Sequence, residues 1–192
     1  MNMVRMVLFV TGGLLLMPVH TYAHPILAGI PLGFSTGFMH PLSGFDHILA
    51  MLAVGIWAGK LGGRYMWRVP AGFLAAAGAG FMLAMATMAN PVVVEEGIAA
   101  SLVCLGGLIA VNAHAGSWRS VALVVLFGMF HGLAHGAELP VSIHADLFVL
   151  GFLTASALLH AAGIFIGRSF SDGVLIRTGG AGIAVAGLLL IV

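Results

Sequence analysis

Residues 26–60 read ILAGIPLGFSTGFMHPLSGFDHILAMLAVGIWAGK, and how often this stretch crosses a bilayer decides the topology of the rest of the chain. Drawn as one continuous helix it would be about 52 Å long, too long for a single passage through a hydrocarbon core of ~30 Å. Pro41 and Gly44 interrupt it in the middle. It is therefore either two short crossings, or one crossing accompanied by a partial segment.

That a bilayer is the solvent follows from composition. The chain has 192 residues, of which 61% are hydrophobic and only 7% charged, whereas a soluble domain carries about 25% charged residues. Its mean hydropathy is +1.14. Beyond residue 60, apolar runs at 67–89, 92–113, 119–138, 145–167 and 174–192 are separated by polar or turn-forming punctuation. Each run approaches the roughly 20 residues that span a bilayer. The expected fold class is all-α, a polytopic helical membrane protein. A formal net charge of +1, with no basic patch, leaves no means of neutralising a phosphate backbone, so nucleic acid is not a partner. The lone cysteine, Cys104, excludes a disulfide framework within the chain and reads as a small core residue.

Charge then decides the reading of 26–60. Past the first turns of the chain the basic residues are Lys60, Arg64, Arg68, Arg119, Arg168 and Arg177. Lys and Arg collect in cytoplasmic loops. If 26–60 crosses once from an external start, the loops at 60–68, 113–119 and 168–177 all fall inside, and every basic residue obeys the rule. If it crosses twice, all three loops face outside. One net crossing is therefore preferred, giving six transmembrane helices with both mature ends external. Residues 26–39 then form a partial, re-entrant or interfacial helix, and the first full crossing starts near Gly44. Irregular backbone at this depth is tolerated only where protein or a polar cavity covers it, which is where a transport site is expected.

The first residues carry a different message. Arg5 precedes the apolar stretch 6–17, Pro18 ends it, and Thr21-Tyr22-Ala23 places small residues at the −3 and −1 positions of a cleavage site. This is the pattern of a secretory signal peptide over residues 1–23, leaving 24–192 as a single transmembrane domain. Cleavage there would make His24 the mature N-terminus, where an amine and an imidazole Nδ1 can chelate a metal; a histidine that merely follows the cleavage site reads the same way.

Two short polar clusters stand inside this apolar chain: His40-Pro41-Leu42-Ser43-Gly44-Phe45-Asp46-His47 and His131-Gly132-Leu133-Ala134-His135-Gly136-Ala137-Glu138. Imidazole and carboxylate are costly in hydrocarbon and mark transport paths, metals or proton relays. Their nitrogen and oxygen donors suit a borderline divalent metal. Steps of four and three residues put His131, His135 and Glu138 within about 60° of one another on a helix, a face able to present two imidazoles and a carboxylate to one cation. Gly128, Gly132 and Gly136 form an adjacent ridge of small residues that lets a neighbouring helix approach. In the first cluster, Asp46 near a helix N-terminus is favoured by the dipole and either caps the helix or orients His47, two compatible roles. The six-crossing topology brings both clusters to the outer membrane level, where they can form one site. His160, deeper in the 145–167 span, is either a relay for a metal moving inward or a satisfied core histidine.

Together these motifs resemble the HupE/UreJ family of hydrogenase and urease accessory membrane proteins. The pattern His-x5-Asp-His is matched by His40, Asp46 and His47. Phe-His-Gly-x-Ala/Val-His-Gly-x-Glu is matched without gaps by Phe130, His131, Gly132, Ala134, His135, Gly136 and Glu138, and Gly151-Phe152-Leu153-Thr154-Ala155 through His160 is similar to a later helix of the family. The resemblance covers essentially the whole chain. It implies a nickel permease of the bacterial inner membrane, not an enzyme, importing Ni²⁺ for a nickel enzyme such as hydrogenase or urease, with no prosthetic group. Co²⁺ is a second candidate substrate, because N/O donor sites separate the two ions poorly. No G-x-x-x-x-G-K-[ST] loop is present, so transport would be facilitated diffusion or ion-coupled.

Two rivals stand beside this reading. One is an intramembrane zinc-dependent hydrolase using the histidines, Asp46 and Ser43 around a zinc-bound water. The other is a metal-binding accessory protein that does not transport. Copper is a further candidate ion, given His24 and 11 methionines.

Overall fold

The computed structural model describes residues 33–87, 91–113, 116–138, 144–170 and 173–191. Among them the chain is entirely helical: α1 (Phe34–Ser43), α2 (Phe45–Leu61), α3 (Tyr65–Thr87), α4 (Pro91–Ala110), α5 (Trp118–Glu138), α6 (Ala145–Ser169) and α7 (Val174–Ile191). The leader expected over 1–23, His24, and the part of the partial helix expected before residue 33 lie outside the described residues. Helices α3, α5, α6 and α7 are each long and apolar enough to cross a bilayer. The pair α1–α2, bent by 86°, meets the same condition when taken as one span.

The bend falls at Gly44, three residues beyond the proline. Sequence reasoning ends the partial helix at residue 39, yet α1 continues through His40 and Pro41 to Ser43. A proline removes only its own N–H bond to the carbonyl four residues back, here that of Gly37. The final turn is closed instead by Ser43, whose hydroxyl donates to the His40 carbonyl at 2.7 Å. Gly44 then adopts extended backbone (φ −100°, ψ 122°) and redirects the chain into α2.

Helix α2 is the hub of the bundle. Ala50, Met51, Ala53, Val54, Trp57 and Ala58 are all buried, as expected of a helix that is apolar on every side. It packs against α6, α4, α3 and α1. Outside it lie two further pairs, α3 with α5 and α4 with α7. In a bilayer no hydrophobic force drives helices together, so close backbone approach over small residues carries the association. A Cβ at Gly128, Gly132 or Gly136 of α5 would run into the backbone of Phe73, Ala77 or Phe81 on α3. The glycine ridge read from the sequence is thus the α3–α5 seam. Gly55 and Gly163 make the equivalent seam between α2 and α6, and Gly106 and Gly180 that between α4 and α7.

These seams also fix directions. Gly55 meets His160 and Gly163, while Gly59 meets Ile164 and Arg168, so α2 and α6 run parallel. Gly128 meets Phe73 and Gly136 meets Phe81, so α3 and α5 do as well. The basic residues consequently gather at one end of the bundle. There Arg168 Nη1 lies 3.5 Å from the Met66 sulfur, Arg177 Nε donates to the Ala110 carbonyl at 3.0 Å, and Trp57 Nε1 donates to the Ala113 carbonyl at 3.2 Å. Exposed Trp67 and Trp118 sit near the same end, in the manner of an interfacial aromatic belt.

A buried histidine cluster at the helix bend

At the opposite end, the bend turns His40 at the end of α1 and His47 at the start of α2 toward one another, and α5 brings His135 between them. His135 Nδ1 lies 2.9 Å from His40 Nε2, and His135 Nε2 lies 2.8 Å from His47 Nε2. One ligand nitrogen from each of the three rings can be chosen so that all lie within 4.8 Å of one another, and all three residues are buried. Phe148 and Phe152 of α6 wall the cluster, with ring centroids 5.6 Å from His40 and 4.8 Å from His135.

Asp46 sets the proton order of this chain of rings. Its Oδ1 is 2.9 Å from His47 Nδ1. The approach is too oblique for a hydrogen bond, but a carboxylate at that distance favours Nδ1 as the protonated nitrogen of His47. In a neutral ring His47 Nε2 is then a lone pair able to accept from His135 Nε2–H, leaving His135 Nδ1 to accept from His40 Nε2–H. In this tautomer order the carboxylate faces a proton rather than a lone pair. This is the arrangement in which an outer carboxylate orients a ligating imidazole. Asp46 makes no side-chain capping bond to α2, whose N-cap is Gly44. Of the two compatible roles read from the sequence, the orienting one has a geometric basis.

The remaining sequence-predicted residues fall into place around the trio. His131 sits one turn, about 6 Å, deeper than His135 and is not among the three residues whose ligand nitrogens lie within 4.8 Å of one another. Its ring centroid is 5.9 Å from that of His47, and its Nδ1 donates to the Phe127 carbonyl at 2.9 Å. His160 lies deeper again on α6 and is fully enclosed. Glu138 is the last residue of α5, and its side chain lies outside the described residues.

Sequence reasoning missed the aromatic side chains that separate and wall the imidazoles. Phe148, Phe152, Ser156 and His160 recur every fourth residue on one buried face of α6, a pattern recoverable by stepping back from His160. Phe73, in contact with both His131 and His160, has no such signal, because an apolar residue in an apolar helix does not stand out.

Fold and cluster together define a helical membrane protein with a buried, carboxylate-backed imidazole site at a helix bend. The chain belongs to the HupE/UreJ family, whose model, described as HupE / UreJ protein, matches residues 13–190. It is 39% identical over 163 residues to Protein HupE of Rhizobium leguminosarum bv. viciae, a match covering 83% of this chain and 85% of that one. No solved structure matches.

Proposed function

We propose that this protein is a permease of the bacterial inner membrane that carries Ni²⁺, with Co²⁺ as a second substrate, into the cell for a nickel enzyme such as hydrogenase or urease. The observation that carries the proposal is the meeting of three buried imidazoles from three helices, with a carboxylate behind one of them. One ion takes a single nitrogen from each ring, and the three that can be chosen lie within 4.8 Å of one another, a modest side-chain adjustment from the roughly 3 Å at which nitrogens about 2.1 Å from a shared ion stand. Such a donor set calls for a borderline divalent ion; nickel in particular comes from membership of the family. The ion is the substrate, no prosthetic group is required, and the protein is not an enzyme. A permeation site must release as well as bind, so moderate affinity is expected.

The topology that accompanies this reading has a cleaved leader over 1–23, a single membrane domain over 24–192, and six crossings, with α4 as the third. Its 20 residues are enough for one passage. The end bearing the basic residues faces the cytoplasm, and the histidine cluster opens outward. The hydrolase alternative is disfavoured by Ser43, whose hydroxyl is committed to the carbonyl of His40 within its own helix rather than turned toward a base.

The test is uptake of radiolabelled Ni²⁺, Co²⁺, Zn²⁺ and copper by liposomes containing the purified protein. Ni²⁺ flux well above that of empty liposomes is expected, falling at least tenfold in His47→Ala and His135→Ala. No flux of any metal would refute the permease, and flux indifferent to both substitutions would refute the assignment of the site.

A further inference from the structure

Below the trio lies a second group of polar atoms that the site at the bend does not use. His131 Nε2, Ser156 Oγ, and both ring nitrogens of His160 are buried without a hydrogen-bond partner among the described residues, and the three residues are at most 1% exposed. Buried polar groups are nearly always satisfied. Four orphaned atoms on facing helices therefore require an occupant that bonds to nitrogen and oxygen. The state of one of them is fixed: His131 donates from Nδ1 to the Phe127 carbonyl, so in the neutral ring Nε2 is a bare lone pair able to take a cation but not to donate.

The rings form an inward line. Centroids step from His40 to His135 (4.5 Å), from His135 to His47 (4.6 Å) and from His47 to His131 (5.9 Å). Phe73 follows at 5.2 Å from His131, and His160 at 5.1 Å from Phe73, perpendicular to it. His131 and His160 are thus no farther apart than those last two steps laid end to end, and both pack on the same phenyl ring. Gly55 of α2, two turns inward of His47, packs on the backbone of His160, which places His160 about 12 Å deeper than His47 along α2. Ser156 is one turn outward of His160 on the same buried face of α6.

We propose that Ser156 Oγ and His160 form a second, inner station for a partly hydrated divalent cation, His160 lying two helical turns deeper than His47, with His131 Nε2 as the step between trio and station and Phe73 as the aromatic wall that the ion passes between His131 and His160. The ion leaves three imidazoles for a sparser set of donors, which favours onward release over trapping. This rests on the permease reading and adds to it a pathway with two stops rather than one site.

The experiment compares the full-length protein with His160→Leu by two readouts: Ni²⁺ binding to detergent-purified protein by equilibrium dialysis, and Ni²⁺ uptake by proteoliposomes. Replacing an orphaned imidazole with an apolar side chain relieves an unsatisfied group, so the variant should melt at or above the wild-type temperature. It should bind Ni²⁺ at the trio with wild-type affinity, yet lose at least tenfold in uptake. Uptake within twofold of wild type, with binding intact, would overturn the inner station while leaving the permease standing. A wild-type protein that neither binds nor carries Ni²⁺ would overturn both. If His160→Leu does not fold, His160→Gln, which keeps a polar group without an imidazole lone pair, carries the same decision: reduced uptake supports the station and unchanged uptake refutes it.

Discussion

Asp46 touches none of the three convergent ring nitrogens, yet the tautomer of the whole cluster follows from where its charge sits. Replacing it with asparagine keeps the shape and removes the charge. His47 would then no longer be held with its Nε2 lone pair directed into the cluster. Loss of an outer carboxylate partner typically weakens metal binding about tenfold to hundredfold, and Asp46→Asn should weaken Ni²⁺ binding by that range in equilibrium dialysis while the melting temperature stays close to wild type. Because each ligating imidazole must be neutral, acidification should weaken binding in both proteins. At this scale the sequence was informative, since six charged or imidazole residues in two short clusters stood out against hydrocarbon. What it did not reveal was the partition between them. His131 shares a helix face with His135 but lies one turn deeper, outside the trio, and it is the 86° bend that supplies His40 as the third ring.

Among the elements, the boundaries of five spans lay within a few residues of those inferred from hydropathy, because most of their ends are marked by glycine, proline, asparagine or charge. The N-terminal break was harder to read. Pro41 looks like the interruption, but a proline near the end of a short helix costs a single backbone bond, whereas Gly44 is where the chain turns. Its φ of −100° is open to any residue, so glycine is needed there for room rather than for conformation. A Cβ on Gly44 would lie 2.9 Å from Asp46 Oδ1 and 3.1 Å from His47 Nδ1. Gly44→Ala should therefore displace the Asp46–His47 pair and leave the helices in place, lowering Ni²⁺ affinity about tenfold with circular dichroism and melting temperature unchanged. A variant that loses its helical signal would show instead that the bend itself had failed.

For the molecule as a whole, six basic residues distributed along the sequence converge on one end and the histidine cluster lies at the other. The positive-inside argument anticipated this polarity, and the parallel seams of α2 with α6 and α3 with α5 give it a structural basis. On the proposed topology, with the basic end cytoplasmic and six crossings, the C-terminus faces outward. A phosphatase reporter fused after Val192 should be active and a cytoplasm-dependent fluorescent reporter dark at the same position. The reverse pattern would invert the bundle and put the cluster on the wrong side for uptake. The inner histidine was visible in the sequence as the one imidazole in its span, but its aromatic neighbours were not, because aromatic residues that line a path and those that only pack share one hydropathy.

The central claim is that His40, His47 and His135 hold one divalent ion together. X-ray absorption at the nickel edge of the purified, Ni²⁺-loaded protein tests it most directly. The account predicts three imidazole nitrogens at about 2.1 Å, with the rest of the shell oxygen, and one fewer imidazole in His135→Ala. A shell of oxygen alone, or one containing methionine sulfur, would contradict it.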